Sequence, residues 1–267
     1  MLNYFDQTME RVALTRPRLT TCHQPPSVAA VLTGDLAELD VLRAVFSIAS
    51  LLKAGVCISW VGPGNPGRAL MRELASGGRF EELDLGRLFG LYLAGRIQTT
   101  VVPAALWRRT APTLWPMLNR SSLLVCRRGI ILPSSILVCA DNEATERALI
   151  MRVSAAVPSE AVRLSVLRAI PLPPTWAWGL SAMYGFAWVP AEDEVPAARA
   201  DQRPYANTIT SHEPTADAIH EAWRQLTPDL VVLGWHRHAL PLPVSWLHPT
   251  AWRLSNQLAS DVLLVPA

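Results

Sequence analysis

A glycine-rich turn is the first feature of the sequence that could bind a ligand. Gly62, Gly64 and Gly67 fit the pattern G-x-G-x-x-G between the apolar run VCISWV and the helix-like RALMREL. In dinucleotide-binding folds this pattern lets the backbone approach a pyrophosphate at a helix N-terminus, directly after the first strand. Pro63 and Pro66, however, remove two of the backbone N–H donors that such a loop offers. We therefore interpret the stretch as a turn that leaves a strand and predict no dinucleotide there.

A second candidate site is the segment GWHRHALPLPVSWLH, which begins at Gly234. It follows the apolar run DLVVL, so His236, Arg237 and His238 are expected at the carboxyl end of a strand, where α/β proteins usually bind ligands. An arginine there could bind phosphate. The histidines have no carboxylate or cysteine nearby in sequence, so we predict no metal. An anion or nucleotide site and a solvated loop without ligand both stay open.

Composition excludes several classes of protein. Half of the 267 residues are hydrophobic, which is enough for a sizeable core. Basic and acidic residues nearly balance, 24 against 22, and no stretch is basic enough to indicate nucleic-acid binding. No apolar run reaches the roughly 20 residues of a membrane-spanning helix, and Asp6 and Glu10 interrupt the position of a signal-peptide core. We predict a cytoplasmic protein that neither binds nucleic acid nor spans a membrane.

The four cysteines indicate neither a disulfide framework nor a structural metal. Cys22, Cys57, Cys126 and Cys139 form no C-x-x-C pair, and three of them lie in apolar, strand-like runs. A thiol in such a run packs as a small hydrophobic side chain. No Ser-His-Asp or paired-carboxylate arrangement can be recognised either, so we assign no catalytic residue and predict that the protein is not an enzyme.

The elements that would position these residues occur twice. VAAVLTGD ends at Asp35 and SILVCAD ends at Asp141, while Ser59 and Ser165 follow at equal distances from their aspartates. TTVVPA and DLVVLG predict fourth strands, and SSLLVC and DVLLVPA predict closing strands. Continuous apolar strands that alternate with helices are typical of parallel sheets covered on both faces. An aspartate at a strand end is also a common N-cap, which is the interpretation we favour for Asp35.

This repeat predicts an α/β fold with two tandem parallel-sheet domains of the doubly wound type. We expect an N-terminal arm over residues 1–27, a first domain over 28–133 and a second over 134–267. In the arm, Phe5, Met9 and Val12 recur at helical spacing, which predicts a short amphipathic helix. Its favoured position is on the protein's own domains rather than on a partner.

The second half resembles the universal stress protein family. The resemblance covers essentially all of residues 135–267 and is carried, in order, by ILVCADNEATERAL, RLSVLRAI, SHEPTADAIHEAWRQLTPDLVVLG and TAWRLSNQLASDVLLVPA. The first half resembles the family more faintly, chiefly through the repeat, so the whole chain is similar to a tandem member. The resemblance implies a five-stranded parallel sheet in each half, with helices on both sides, and often dimerisation through the last strand.

Family members that bind ATP use an aspartate after the first strand and a glycine loop after the fourth strand. This loop has the form G-x-x-G and is followed further along the chain by G-S/T. Such a loop lets the backbone approach phosphate and converge its N–H donors. Asp141 matches the aspartate and Gly234 the first glycine. Arg237 stands where the second glycine belongs, and His248 and Pro249 stand where the last pair would align. The resemblance therefore implies a degenerate nucleotide loop, and the first half departs from the pattern further.

One segment of the second half has the composition of a protein-interaction surface. Residues 171–190, PLPPTWAWGLSAMYGFAWVP, contain no charge. Aromatic-rich exposed segments are typical anchors of interfaces, although the same segment could fold back over its own sheet. The candidate partner-binding residues are Trp176, Trp178, Tyr184, Phe186 and Trp188.

Together these patterns favour a non-catalytic, degenerate tandem universal stress protein that acts as a regulator or scaffold, through a protein partner or as a homodimer, with no cofactor. A stress-response switch that binds ATP or AMP in the second domain is the alternative, and a nucleotide-dependent transferase or oxidoreductase is the third. We also predict that the closing strands, Leu123–Cys126 and Val262–Val265, pair with each other or with a second chain, because an unpaired apolar edge invites aggregation.

Overall fold

A computed structural model describes residues 27–62, 66–75, 80–114, 121–129, 133–140, 142–156, 162–169, 206–211, 215–235 and 249–266. Within these ranges one sheet of ten strands runs through the molecule, with helices between the strands. The N-terminal arm, Asp141, the segment 236–248 and the aromatic segment 171–190 lie outside the described residues. No helix in the described ranges is both long and apolar enough to span a membrane.

The described elements of the first half alternate between strand and helix. A short 3-10 turn, Leu36–Glu38, precedes the first α-helix. The elements are β1 (Ser27–Leu32), α1 (Leu39–Leu51), β2 (Gly55–Trp60), α2 (Pro66–Ala75), β3 (Phe80–Leu83), α3 (Leu85–Leu93), β4 (Ile97–Pro103), α4 (Ala104–Leu114) and β5 (Ser122–Cys126).

The second half follows the same plan in the part of the chain that the structure describes. Its elements are β6 (Ser135–Ala140), α5 (Glu143–Ala156), β7 (Arg163–Ala169), β8 (Ala206–Ser211), α6 (Thr215–Leu226), β9 (Leu230–Trp235), α7 (Pro249–Gln257) and β10 (Asp261–Pro266).

Strand order confirms the predicted α/β fold and its repeat. The sheet runs β3-β2-β1-β4-β5-β10-β9-β6-β7-β8, so each half has its first strand at the centre, its third strand at the outer edge and its fifth against the other half. The register repeats as well, because Val31 lies opposite Ser59 and Leu137 lies opposite Ser165. The inner strands are buried on both faces, as their apolar composition requires, whereas the outer strands β3 and β8 carry exposed polar residues.

The two closing strands pair with each other inside the chain, which confirms the prediction for this edge. Leu123–Val125 lie antiparallel to Val262–Leu264, and the other strand pairs in the sheet are parallel. The buried carboxylate of Asp261 accepts hydrogen bonds from the backbone N–H groups of Arg127 at 2.6 Å and Arg128 at 2.8 Å. The domain boundaries themselves stay a prediction, because the sheet continues across them.

A buried tryptophan joins the helices on either side of this junction. The indole N–H of Trp107, on α4, donates a hydrogen bond of 2.9 Å to the hydroxyl of Ser255, on α7. The rings of Trp107 and Trp252 pack with their centroids 5.4 Å apart. Trp107 has no exposed surface, so its polar N–H needs such a partner. One hydrophobic core therefore extends through both halves.

The cysteines that the structure describes are free thiols in the core, as predicted. Cys57, Cys126 and Cys139 are all buried. Burial raises the pKa of each thiol, and for Cys126 burial together with the nearby Asp261 carboxylate raises it to about 12. These thiols are therefore protonated and unreactive at neutral pH. Cys22 lies outside the described residues.

Candidate ligand-binding edge of the sheet

The glycine pattern lies at the carboxyl edge of the first half, where the strands of that half end together. It follows β2 and not β1, so it occupies a different place from a dinucleotide fingerprint. Gly62 has a φ of +91°, a left-handed conformation that side chains other than glycine rarely adopt. Gly62 therefore makes the turn that leaves the strand, in agreement with the sequence interpretation. Gly64 lies outside the described residues.

Gly67 serves packing between the start of α2 and the loop after β1. A Cβ atom added to Gly67 would lie 2.4 Å from the carbonyl oxygen of Gly34. Gly34 has a φ of +87°, and a Cβ there would lie 2.9 Å from the Cβ of Arg68. Both contacts are shorter than real Cβ atoms tolerate, so the two glycines allow the helix N-terminus to rest directly on the loop.

A carboxylate from the chain itself fills the loop after β1. Glu38 is only 7% exposed, and its side chain accepts three hydrogen bonds from two residues of the loop. The donors are the backbone N–H of Thr33 at 2.8 Å, the hydroxyl of Thr33 at 2.9 Å and the backbone N–H of Gly34 at 3.0 Å. The strand-end donors that could face a bound anion are therefore directed at Glu38.

Asp35 caps the helical segment that follows β1, as predicted. Its carboxylate accepts a hydrogen bond of 3.0 Å from the backbone N–H of Ala37, while the residue itself is exposed. Asp35 and Glu38 together form a variant of the capping box, in which the acid three residues on reaches back over the turn. Our sequence interpretation identified the cap but missed Glu38, although the spacing D-x-x-E is a signal for this arrangement.

Two donors at the same edge have no hydrogen-bond partner. The indole N–H of Trp60 and the Nε of Arg68 are buried without an acceptor. The guanidinium carbon of Arg68 lies 5.5 Å from the centroid of the Trp60 ring, a cation–π arrangement. The positive charge of Arg68 thus sits beside the N-terminus of α2, and the sequence interpretation did not identify this pair.

In the second half, the carboxyl ends of β6 and β9 lie side by side. Cys139 on β6 pairs with Leu233 on β9, the residue before Gly234. Gly234 is described and lies near the end of β9, whereas Asp141 is outside the described residues and its side-chain role stays a prediction. The next residue, Asn142, caps α5 by accepting a hydrogen bond of 2.8 Å from the backbone N–H of Thr145.

An ion pair that the sequence interpretation missed lies at this edge. Arg168, opposite Ala140 in the sheet, donates from Nε to the Oε2 of Glu146 at 2.5 Å. The side chains are 20% and 7% exposed, respectively, so the pair is largely desolvated. Of the two arginines in the strand RLSVLRA, Arg168 follows the apolar run directly, which is the signal that could have predicted a buried acidic partner. Because the two charges neutralise each other, the pair adds little net charge beside the position of Asp141.

The remaining candidate residues cannot be placed. In the loop after β9, the candidates outside the described residues are His236, Arg237 and His238. In the aromatic segment they are Trp176, Trp178, Tyr184, Phe186 and Trp188. The roles of all these side chains stay predictions. Among the residues that are described, no three His, Cys, Asp or Glu side chains are grouped as metal ligands.

Comparison with known proteins identifies the fold. No protein-family model and no curated protein sequence matches the chain. A universal stress protein from Archaeoglobus fulgidus is similar in structure, with 10% identity, a TM-score of 0.56, and 91% of this chain and 97% of the other chain covered. A functionally unknown protein from Pseudomonas aeruginosa PAO1 has 17% identity and a TM-score of 0.59, with 91% and 92% covered.

A third structure, provisionally described as a universal stress protein from Pseudomonas aeruginosa UCBPP-PA14, has 17% identity and a TM-score of 0.55, with 91% and 93% of the two chains covered. Identities this low establish a shared fold and not a shared activity. They confirm the fold that the sequence resemblance implied. This chain has the fold of the universal stress proteins.

Proposed function

We propose that the protein is a non-catalytic, tandem universal stress protein that acts in the cytoplasm as a regulator or scaffold through protein–protein interaction. The observation that carries the proposal is the position of Glu38. Its carboxylate accepts the strand-end N–H groups of Thr33 and Gly34, which a bound anion would otherwise approach. A nucleotide phosphate placed there would lose these donors and would meet a negative charge at short range.

The loop after β9 supports the same proposal for the second half. Pro249 opens α7, a position where proline suits a helix because the first N–H groups have no partner within it. The same N–H groups are the ones that a helix N-terminus offers to phosphate. Proline at this position, together with arginine where the second glycine of the loop belongs, favours a nucleotide loop that has lost its function.

The pairing of the closing strands narrows the choice of partner surface. β5 and β10 pair with each other inside the chain, so this edge is not available to a second copy. We therefore assign self-association or partner binding to the aromatic segment 171–190, through Trp176, Trp178 and Trp188 in particular. Uncharged aromatic anchors of this kind supply much of the binding energy of protein interfaces.

An ATP- or AMP-binding switch in the second domain is the alternative. The observation that favours it is that Cys139, near the end of β6, lies opposite Leu233, the residue before Gly234 on β9. An enzyme that uses a nucleotide would need the same site and is the third candidate.

Isothermal titration calorimetry with ATP separates these proposals. We expect a dissociation constant weaker than roughly 1 mM, which corresponds to about 4 kcal/mol of binding free energy. The test variant is Asp141→Ala, and Asp35→Ala is its matched control because Asp35 is the corresponding aspartate of the first half and acts as a cap. Micromolar binding that is lost in Asp141→Ala and kept in Asp35→Ala would reject the scaffold in favour of the switch.

Light scattering tests the interaction surface itself. We expect the wild-type protein to self-associate or to bind a partner, and replacement of all three tryptophans by alanine to abolish assembly without changing the far-UV circular dichroism. A strictly monomeric wild-type protein, combined with a triple variant that unfolds, would show that the segment is part of the core.

A further inference from the structure

Two arginines of the first half meet the C-terminal end of a helix of the second half. Arg127 directly follows β5, and Arg108 lies in the second turn of α4. The guanidinium of Arg127 donates to the carbonyl oxygens of Ser255 and of Ser260, the latter at 3.4 Å. The guanidinium of Arg108 donates to the carbonyl oxygen of Asn256 at 3.1 Å. Because Ser255 and Asn256 are consecutive residues near the end of α7, the two guanidinium groups lie close together.

These two guanidinium groups, which we call the junction arginine pair, form no ion pair with a carboxylate in the part of the chain that the structure describes. The nearby Asp261 is already bound, because its Oδ1 accepts the backbone N–H groups of Arg127 and Arg128. A guanidinium has five N–H donors. The contacts with the carbonyl groups use two donors of Arg127 and one of Arg108, so most donors of the pair are left for a ligand.

Capping of α7 accounts for only part of this arrangement. The C-terminus of a helix carries a partial negative charge of about half an elementary charge, which a single arginine is enough to balance. Arg127 is half-buried, and its pKa is lowered by this burial and then by the positive charge of Arg108. A charge that is taken out of water in this way normally has a counterion. The second guanidinium therefore leaves positive charge that the helix end does not balance.

The chemistry of the pair favours a phosphate group as its ligand. A phosphate has several oxygen atoms that can accept hydrogen bonds from two guanidinium forks at once. Arg108 is exposed to solvent, so a dissolved anion can reach the pair. The loop after β1 differs in this respect, because there the carboxylate of Glu38 already accepts the donors.

We propose that the junction arginine pair binds the phosphate group of a small anionic molecule, between α4 of the first half and the end of α7 of the second half. The arginines come from one half and the carbonyl groups that orient them come from the other, so the bound anion reinforces the contact between the halves. The inference goes beyond the proposed scaffold function, because it rests on none of the residues that carry that function.

Isothermal titration calorimetry of the full chain with inorganic pyrophosphate tests this site. The main variant is Arg108→Gln, which removes one positive charge and keeps an amide donor for the carbonyl oxygen of Asn256. Arg87→Gln, on α3, is the matched control because it removes the same charge from an exposed arginine of the same half. A second variant combines Arg108→Gln with Arg127→Gln. Circular dichroism compares the folds, and the single variant decides if the double variant does not fold.

We expect the wild-type protein to bind pyrophosphate and Arg108→Gln to bind it on the order of tenfold more weakly, because a charge-assisted hydrogen bond is lost. The double variant should not bind, and Arg87→Gln should bind like the wild type. Pyrophosphate should also raise the midpoint of thermal unfolding of the wild type more than that of Arg108→Gln, because a ligand stabilises the state that binds it.

Three results would overturn the proposal. The first is a wild-type protein that binds no pyrophosphate at millimolar concentration. The second is equal weakening in Arg108→Gln and Arg87→Gln, because binding would then report only the overall charge of the protein. The third is binding that Arg237→Gln removes and Arg108→Gln leaves unchanged, which would place the anion at the loop after β9.

Discussion

Replacing Glu38 with alanine should destabilise the protein more than any other single change at the carboxyl edge of the first half. The native carboxylate is 7% exposed and accepts the N–H groups of Thr33 and Gly34 at 2.8 and 3.0 Å, with the Thr33 hydroxyl at 2.9 Å. Glu38→Ala removes the acceptor and leaves the two backbone donors inside the loop without a partner.

The magnitude follows from the number of donors that lose their acceptor. A hydrogen bond to a charged group contributes about 1.5–3 kcal/mol. The hydroxyl of Thr33 can rotate to another acceptor, so the two backbone N–H groups set the cost. Water can reach part of the loop, since Asp35 is exposed, and hydrogen bonds to water recover some of the lost free energy. We expect a loss of about 3 kcal/mol for Glu38→Ala, and of about 1 kcal/mol for Glu38→Gln, which keeps one neutral acceptor.

Urea denaturation at neutral pH, followed by circular dichroism, measures the difference. Asp35→Ala is the matched control, because it removes a single exposed cap bond of 3.0 Å in the same turn and should cost about 1 kcal/mol. If Glu38→Ala destabilises no more than Asp35→Ala, the buried carboxylate does not organise the loop. The argument that it occupies the place of a ligand anion would then fail.

Two further predictions concern packing and charge. Gly67→Ala should destabilise the protein by about 2 kcal/mol in the same assay, because the new Cβ would lie 2.4 Å from the rigid carbonyl oxygen of Gly34. The control is Gly90→Ala on α3, where a Cβ meets nothing within 4 Å and the change should stabilise by up to about 1 kcal/mol. Equal effects of the two substitutions would contradict the packing role of Gly67. The Ser134 hydroxyl, with nearby N–H groups, lowers the pKa of Asp229 below its usual range, so its stabilising effect should be present above about pH 4 and disappear as pH falls through the lowered value. The stability gap between wild type and Asp229→Asn should shrink from pH 6 to pH 2.5, and a gap independent of pH would refute the assignment.

The order of strands and helices could be predicted from the sequence because buried parallel strands must be apolar throughout. The runs ending near Asp35 and Asp141 therefore stood out, and the matching positions of Ser59 and Ser165 predicted a repeat, which the equivalent strand pairs of the two halves reproduce. Residues that act locally were equally accessible. The cap formed by Asp35 depends only on a hydrogen bond to Ala37, two residues away.

Contacts between distant residues could not be predicted in this way. The pair formed by Arg168 and Glu146 depends on how α5 lies over β7, and the contact of Gly67 with Gly34 depends on where α2 begins relative to the loop after β1. Sequence spacing along one element carries no information about the neighbour that packs on it. Glu38 is a different case, because its partners Thr33 and Gly34 are close in sequence and the spacing D-x-x-E could have identified it as a local acceptor.

The sequence by itself determined the fold class, the repeat and the apolar character of both closing strands, because those depend on patterns within single elements. It left open whether the closing strands pair with each other or with a second chain. Only the tertiary structure decided this, through the antiparallel pairing of β5 with β10, the carboxylate of Asp261 and the hydrogen bond from Trp107 to Ser255. An exposed strand edge accepts any compatible strand, so its partner is selected by the packing of the surrounding helices and not by the strand's own residues.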